Sequence, residues 1–523
     1  MQSVMGHSFS RTPSVGIPRS SFDRSHGYKT TFNSANLVPV FVDEVLPGDT
    51  FNLNMTAFAR MATPIFPIMD NLFMDSFFFF VPNRLIWDNF ERFMGYQKNP
   101  GDSISYLVPQ MVVPVGGYAV SSLHDYFGLP TAIAGYTHSS LWHRAYNLIW
   151  NEWFRDQNLQ NSVTVDVGDG PDLPANYVML KRGKRHDYFT SALPWPQRGG
   201  VAVSLPLGTS APITSTGVAQ TFKSAGASGS TTLQLSVAAA SNITQVGGLS
   251  AAGPLTFGNA NSTVVGLQTD LSTATAATIN QLRQAFAIQR LLEKDARGGT
   301  RYNELLKQHF DVTVPDFRLQ RPEYLGGGSS PVNVSPIAQT GATGATPQGN
   351  LAGMATIRAN HGFTKSFVEH GVIIGLVNIR ADLTYQQGLD RMFSRSTRYD
   401  YFWPALAQLG EQTVLNKEIY LDGTANDALV FGYQERHAEY RFKPSRITGL
   451  FRSTAAGTLE AWHLSQKFTT LPTLGNTFIT EAPPVSRVIA VPSQPEFIFD
   501  SFFNLRCVRP MPLFGVPGLG DRL

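Results

Sequence analysis

The chain has 523 residues, enough for several average domains or for one large β domain carrying long insertions. Charged residues are only 15% of it, well under the roughly 25% of an average soluble protein. A net charge of +3 excludes a strongly polycationic protein, though not local basic segments. A single cysteine, Cys507, excludes an intrachain disulfide and any multi-cysteine metal site.

Residues 1–36 mix Ser, Gly, Pro and Arg without periodicity and read as a basic arm, the alternative being a frayed terminus. Arg11, Arg19, Arg24 and Lys29 face only Asp23, so this arm holds the whole net charge of the chain. No apolar stretch follows a basic start, so no secretory signal is expected, and no run is long enough to cross a bilayer as a helix.

From Leu37 the signal is β. Leu37–Val45 is Val-rich, and Pro47-Gly48 supplies the backbone pair of a type II turn. Phe51, Leu53 and Met55 then alternate with Asn52, Asn54 and Thr56, the period of a strand with one buried face. Leu72–Val81 is apolar on both faces near its end, as in a strand buried inside a core. Ser366–Arg380 and Phe497–Val508 read the same way. Strands at both ends of the chain predict one β sandwich closed by its termini, with long insertions between strands.

Helical spacing is scarcer. Ser139-Ser140 is a candidate cap for a helix carrying Leu141, Ala145, Leu148, Ile149 and Trp153 on one side, and Trp142, Trp150 and Trp153 are expected to pack in a core. A second helix is expected over Thr278–Asp295, and a short one through Leu305, Leu306 and Phe310. Between Gly199 and Asn280 only Lys223 and Asp270 are charged, in a background of Ser, Thr, Ala, Gly and short aliphatics. Val and Leu recur too often there for a plain spacer, which favours an exposed subdomain ordered by subunit contacts over a disordered loop. Gly326–Gly353 reads as a flexible loop.

Motifs for catalysis are missing. The sequence has no phosphate-binding G-x-x-x-x-G-K-[ST], no G-x-S-x-G elbow and no H-E-x-x-H. Asp166, Asp169 and Asp172 loosely suggest a calcium loop but lack the Glu at its twelfth position, so a polar turn is the expectation. No catalytic residue, metal or cofactor is expected. Cations that could meet nucleic acid are Arg11, Arg19, Arg24 and Lys29 in the arm and Arg506 and Arg509 in the tail. A second basic patch, Lys181, Arg182, Lys184 and Arg185, is flanked in sequence by Tyr177, Tyr188 and Phe189, rings able to stack on unpaired bases.

Two stretches carry a family resemblance, Ser21–Gly95 and Leu291–Gly328. Their distinctive runs are Arg24-Ser25-His26-Gly27-Tyr28-Lys29, Val42-Asp43-Glu44-Val45-Leu46-Pro47-Gly48-Asp49 and Arg321-Pro322-Glu323-Tyr324-Leu325-Gly326. These resemble the major capsid proteins of gokushoviruses, small circular single-stranded DNA phages of the microvirus family. The resemblance implies an eight-stranded jelly roll, assembled as sixty copies into a T = 1 icosahedral shell around a single-stranded DNA genome. It further implies an internal scaffolding protein, a DNA pilot protein, a host cell-surface receptor, and a virion assembled in the cytoplasm of a bacterial host. The expected division is a basic arm, 1–36, the first part of the jelly roll, 37–198, and a surface insertion, 199–280, forming a threefold protrusion. The rest of the jelly roll and the tail then occupy 281–523. Two rival readings are a carbohydrate-active β-sandwich enzyme and a trimeric fibre or adhesin.

Overall fold

The computed structural model describes residues 18–197, 279–297, 308, 320–344 and 347–514, together with five short strands between 213 and 269. Arg11, most of the proposed 199–280 insertion and, apart from residue 308, the short helix expected near 305–310 lie outside the described residues.

Ten strands build the main body. They are β1 (Ser20–Asp23), β2 (His26–Phe32), β3 (Val38–Val45), β4 (Thr50–Met61), β5 (Leu72–Pro82), β6 (Glu323–Pro331), β7 (Asn333–Ala338), β8 (Leu351–Ser366), β9 (Gly371–Ala381) and β10 (Phe497–Arg509). One antiparallel sheet has the order β2–β10–β4–β8–β7, with β1 also paired on β10; the other has the order β6–β5–β9–β3. From β2 the chain goes to the second sheet (β3), back (β4), across (β5 and β6), back (β8), across (β9) and back (β10). That winding is an eight-stranded jelly roll.

Side-chain alternation dictates these layers. Along β4 every odd residue from Phe51 to Met61 is buried and every even one from Asn52 to Arg60 is exposed. Phe51, Leu53 and Met55 join Phe78, Phe80, Ile373, Phe499 and Phe503 in the core between the sheets. The opposite face of the four-stranded sheet is covered too. Phe79, Val81, Val372 and Ile374 pack with Trp87, Tyr146 and Ile149 in a second core. This second core includes helix α1 (Leu141–Ile149), which runs into one wider π turn, Trp150–Phe154. Ser140 does sit at the N-cap of α1, but its hydroxyl donates to the Pro109 carbonyl at 3.3 Å and does not cap the helix.

Three expectations need correction. Phe497–Val508 is not buried on both faces; Ile498, Asp500, Phe502, Asn504 and Arg506 all point outward from β10. About a third of the expected 1–36 arm is sheet: β1 and β2 hydrogen-bond to β10, and Phe32 is buried against Phe497 and Phe499. Gly326–Gly353 is mostly strand, comprising β6, β7 and the start of β8. The first three glycines, Gly326, Gly327 and Gly328, serve close approach, not flexibility. A Cβ on Gly327, whose φ is +156°, would lie 2.0 Å from the Ser76 carbonyl oxygen.

Contacts divide the chain into two compact units: residues 1–196 with 298–523, and Gln197–Arg297. The second contains the charge-poor stretch and helix α2 (Ile279–Arg297), which was expected over Thr278–Asp295. Within the first unit, residues 382–496 form a further excursion between β9 and β10, where Tyr385, Phe431 and Phe478 build a small core together with Tyr188 and Phe189 from the earlier part of the chain.

Replacing Gly327 with Val should lower the denaturation midpoint by the equivalent of about 1–3 kcal/mol, the cost of overpacking. Gly341→Ala, where a Cβ meets nothing within 4 Å, should leave the midpoint unchanged. Urea unfolding followed by tryptophan fluorescence compares the two.

Candidate nucleic-acid and assembly surfaces

The Val42–Asp49 run forms the corner between β3 and β4. Asp49 accepts a hydrogen bond from the Leu46 amide at 2.9 Å, and Gly48 takes φ +90°. The corner's carboxylates hold the chain's terminal strands. Arg24 lies 2.5 Å from Asp43. Arg509 lies 3.3 Å from the fully buried Asp49, donates to the Glu44 carbonyl at 2.8 Å, and covers the Phe51 ring at 5.5 Å. Burial raises the Asp49 carboxyl pKa, opposed by the Leu46 amide and Arg509. Two of the cations expected at phosphate are thus engaged with acids of their own chain. Arg19 is exposed above Gly48, Lys29 is exposed 3.5 Å from Asp500, and Arg506 is exposed opposite Asp23.

The second basic patch separates in the same way. Arg182 pairs with Asp75, which also receives Arg380 at 2.8 Å. Burial opposes ionisation of Asp75, but hydrogen bonds from Ser329 and Arg380 and the two guanidinium charges hold its pKa below the usual carboxylate range. Lys184 is buried, donates to Gln466 at 3.0 Å and sits over the Phe478 ring; burial brings it down to about 8. Lys181 and Arg185 remain exposed. The rings beside them are not the ones expected. Tyr177 and Tyr188 are buried, donating to Asp172 and Glu418. Instead Phe77, Phe79, Trp153, Phe154 and Tyr324 line a cleft of about 450 Å³ with Arg185. The π turn creates it by setting both Trp153 and Phe154 against Phe79, and Trp153 is 40% exposed, not packed in a core.

Other polar clusters are structural. Asp172 receives Arg144 through two hydrogen bonds, and Asp169 receives Trp87 at 2.7 Å and Asn89 at 3.0 Å. Among the described residues no His, Cys, Asp and Glu group is arranged to hold a metal ion. Sequence spacing missed a histidine cluster: His124 lies 2.8 Å from His143, and His138 lies 2.7 Å from the Tyr118 hydroxyl. Burial keeps these rings neutral, bringing His124 down to about 4.

Also unread from sequence is an aromatic surface on the 382–496 excursion. Met392, Phe393, Tyr399, Tyr401, Phe402 and Trp403 are each 43–68% exposed, and the Arg395 and Arg398 guanidinium groups lie over neighbouring tyrosine rings. Aromatic residues, Met and Arg interleaved in this way are the composition of a protein–protein contact.

The jelly roll is an architecture that viral shell subunits share with lectin and cupin domains, and long excursions with an uncovered aromatic surface suit the shell subunit. A family model described as "Capsid protein (F protein)" matches residues 10–519, and the chain belongs to that family. It is 51% identical to capsid protein VP1 of Bdellovibrio phage phiMH2K, over 99% of this chain and 98% of that one. Identity to VP1 of Chlamydia phage 1 is 46%, over 99% and 98%, and to VP1 of Spiroplasma virus 4 it is 35%, over 98% and 97%. All three are gokushoviruses, so the resemblance first carried by two blocks extends over nearly the full length. The enzyme and fibre readings find no support among these relatives. The chain is a virion component of the capsid type.

Glu481 provides a test of the buried ion cluster. Ala381 N donates to one of its oxygens at 3.3 Å, the other has no hydrogen-bond partner, and burial raises it to about 7. The folded state therefore favours the protonated acid. Its stabilising contribution is complete below the unfolded value of about 4.5 and is lost as pH rises through about 7. Thermal unfolding from pH 4.5 to 8 should show Glu481→Gln flattening this dependence and raising the melting temperature at pH 8.

Proposed function

We propose that sixty copies of this chain assemble into a T = 1 icosahedral shell enclosing a circular single-stranded DNA genome. The role is structural, without catalysis. The observation carrying it is full-length capsid-family membership in a subunit that leaves the Met392–Trp403 aromatic surface uncovered. Small contacts repeated by symmetry sum to a stable particle. The charge-poor 199–280 insertion is the host-attachment protrusion of this reading, and its recurring Val and Leu suit contacts between copies around a threefold axis. A scaffolding protein and a DNA pilot protein act alongside it, and assembly occurs in the bacterial cytoplasm.

Sedimentation and negative-stain microscopy of the purified protein should give closed shells of one diameter; a monomer or an elongated trimer would overturn the reading. The triple substitution Tyr401→Ser, Phe402→Ser, Trp403→Ser should leave soluble, folded subunits and reduce shell yield at least about tenfold, since central aromatic contacts are worth about 2 kcal/mol or more each. Replacing Gly199–Asn280 by a short linker should preserve the jelly roll and abolish attachment to host cells. If the shortened chain cannot fold, that insertion is part of the core.

A further inference from the structure

The six-stranded sheet has one face in the core and one face open, and the strand register fixes what the open face presents. Reading across β2, β10, β4 and β8, one row is Lys29, Asp500, Phe58, Arg358. The row on one side is Thr31, Ile498, Arg60, Thr356, and the row on the other is Gly27, Phe502, Thr56, Asn360. Two rows further along, Arg506 stands between Asp23 of β1 and Asn52 of β4. Phe58 is 52% exposed and Phe502 53%, on adjacent strands and offset by two residues, a diagonal pair roughly 7–8 Å apart.

Four cations stand on this face against two carboxylates, Asp23 and Asp500. Arg60 and Arg358 form no ion pair with any described residue. The remaining positions are Asn, Thr and Gly apart from Ile498, which is 60% exposed in the row beside Arg60 and adds an apolar edge to the surface carrying the two rings. An ordinary solvated sheet face has no need of two exposed Phe rings, and a contact with another apolar face would bury unpaired guanidinium groups at high cost. Single-stranded nucleic acid satisfies both halves of the surface: its bases offer π faces to the rings and its phosphates offer charge to the cations. A duplex satisfies only the second, because its bases are stacked on each other.

We propose that the open face of the six-stranded sheet is a platform for single-stranded DNA, bases stacking on Phe58 and Phe502 and phosphates held by Lys29, Arg60, Arg358 and Arg506. This rests on the reading that the shell encloses such a genome. Binding is independent of sequence, because every base has a π face, and it weakens with salt. It gives Lys29 and Arg506 the phosphate role expected of them from sequence, while Arg24 and Arg509 remain internal ties.

The test is fluorescence anisotropy of labelled dT20 with full-length subunits isolated by sedimentation. Phe58→Thr with Phe502→Thr should weaken dT20 binding at least about tenfold and leave binding of a 20-base-pair duplex unchanged. Arg60→Gln with Arg358→Gln should reduce the slope of log affinity against log salt by roughly 0.7 per lost phosphate contact. All four positions are exposed, so each pair should keep wild-type thermal unfolding and still form shells, now carrying less DNA by absorbance ratio. Unchanged dT20 affinity in both pairs overturns the proposal. So does loss of shells with dT20 binding intact, which would make this face a contact between copies. Face-dependent dT20 binding by a wild-type protein that forms no closed shell would uphold the platform and remove the shell reading instead.

Discussion

The two central strands of the four-stranded sheet, β5 and β9, have no wet face, and much of the rest of the molecule follows from that. With Phe78 and Phe80 packed into the inter-sheet core and Phe79 and Val81 into the second core, every side chain of this stretch must meet apolar atoms. The sheet cannot meet that demand from within the sandwich, whose other sheet covers only one side. The chain between β5 and β6 therefore folds back over the outside, bringing Trp87, helix α1 and the π turn. A long excursion in this fold is thus part of the structural solution as well as a place for function.

Charge follows a similar logic. The chain has few charged residues, and many of them tie strands together in the interior. Asp75 holds Arg182 and Arg380, Asp172 holds Arg144, and the Asp43–Asp49 corner holds Arg24 and Arg509. Truncating one member of such a pair leaves its partner buried and uncompensated, which costs far more than a surface ion pair contributes. A basic run in sequence therefore says little about which cations can meet a ligand.

The sheets were legible where one physical signal dominated. Period-two alternation identified β4, and continuous apolar character identified β5 and β9 as buried on both sides. The signal failed where pairing supplied what local sequence lacked. β1 and β2 are polar enough to resemble a loose arm, and they are strands because β10 offers them an edge. Gly326–Gly328 looked pliable, yet the residues are small because two sheets approach closely there. For the basic patch, sequence found the cations but not their rings, since Phe77, Trp153 and Tyr324 come from three distant segments. The open face of the six-stranded sheet was invisible for a related reason. Phe58, Phe502, Arg60 and Arg358 are unremarkable in their own strands and become a surface only once register sets them side by side.

The last strand among the described residues, β10, lies inside its sheet, between β2 and β4, and not at an edge. During synthesis this imposes an order. Until residues 497–509 have left the ribosome, β2 has no neighbour on that side and β4 exposes an unpaired backbone edge along its length. The sandwich cannot close before that strand has been made. A prematurely terminated chain is therefore a sheet with a missing middle, open at the seam and unable to present the finished surfaces by which copies recognise one another. Synthesis of β10 and competence to join a shell become the same event.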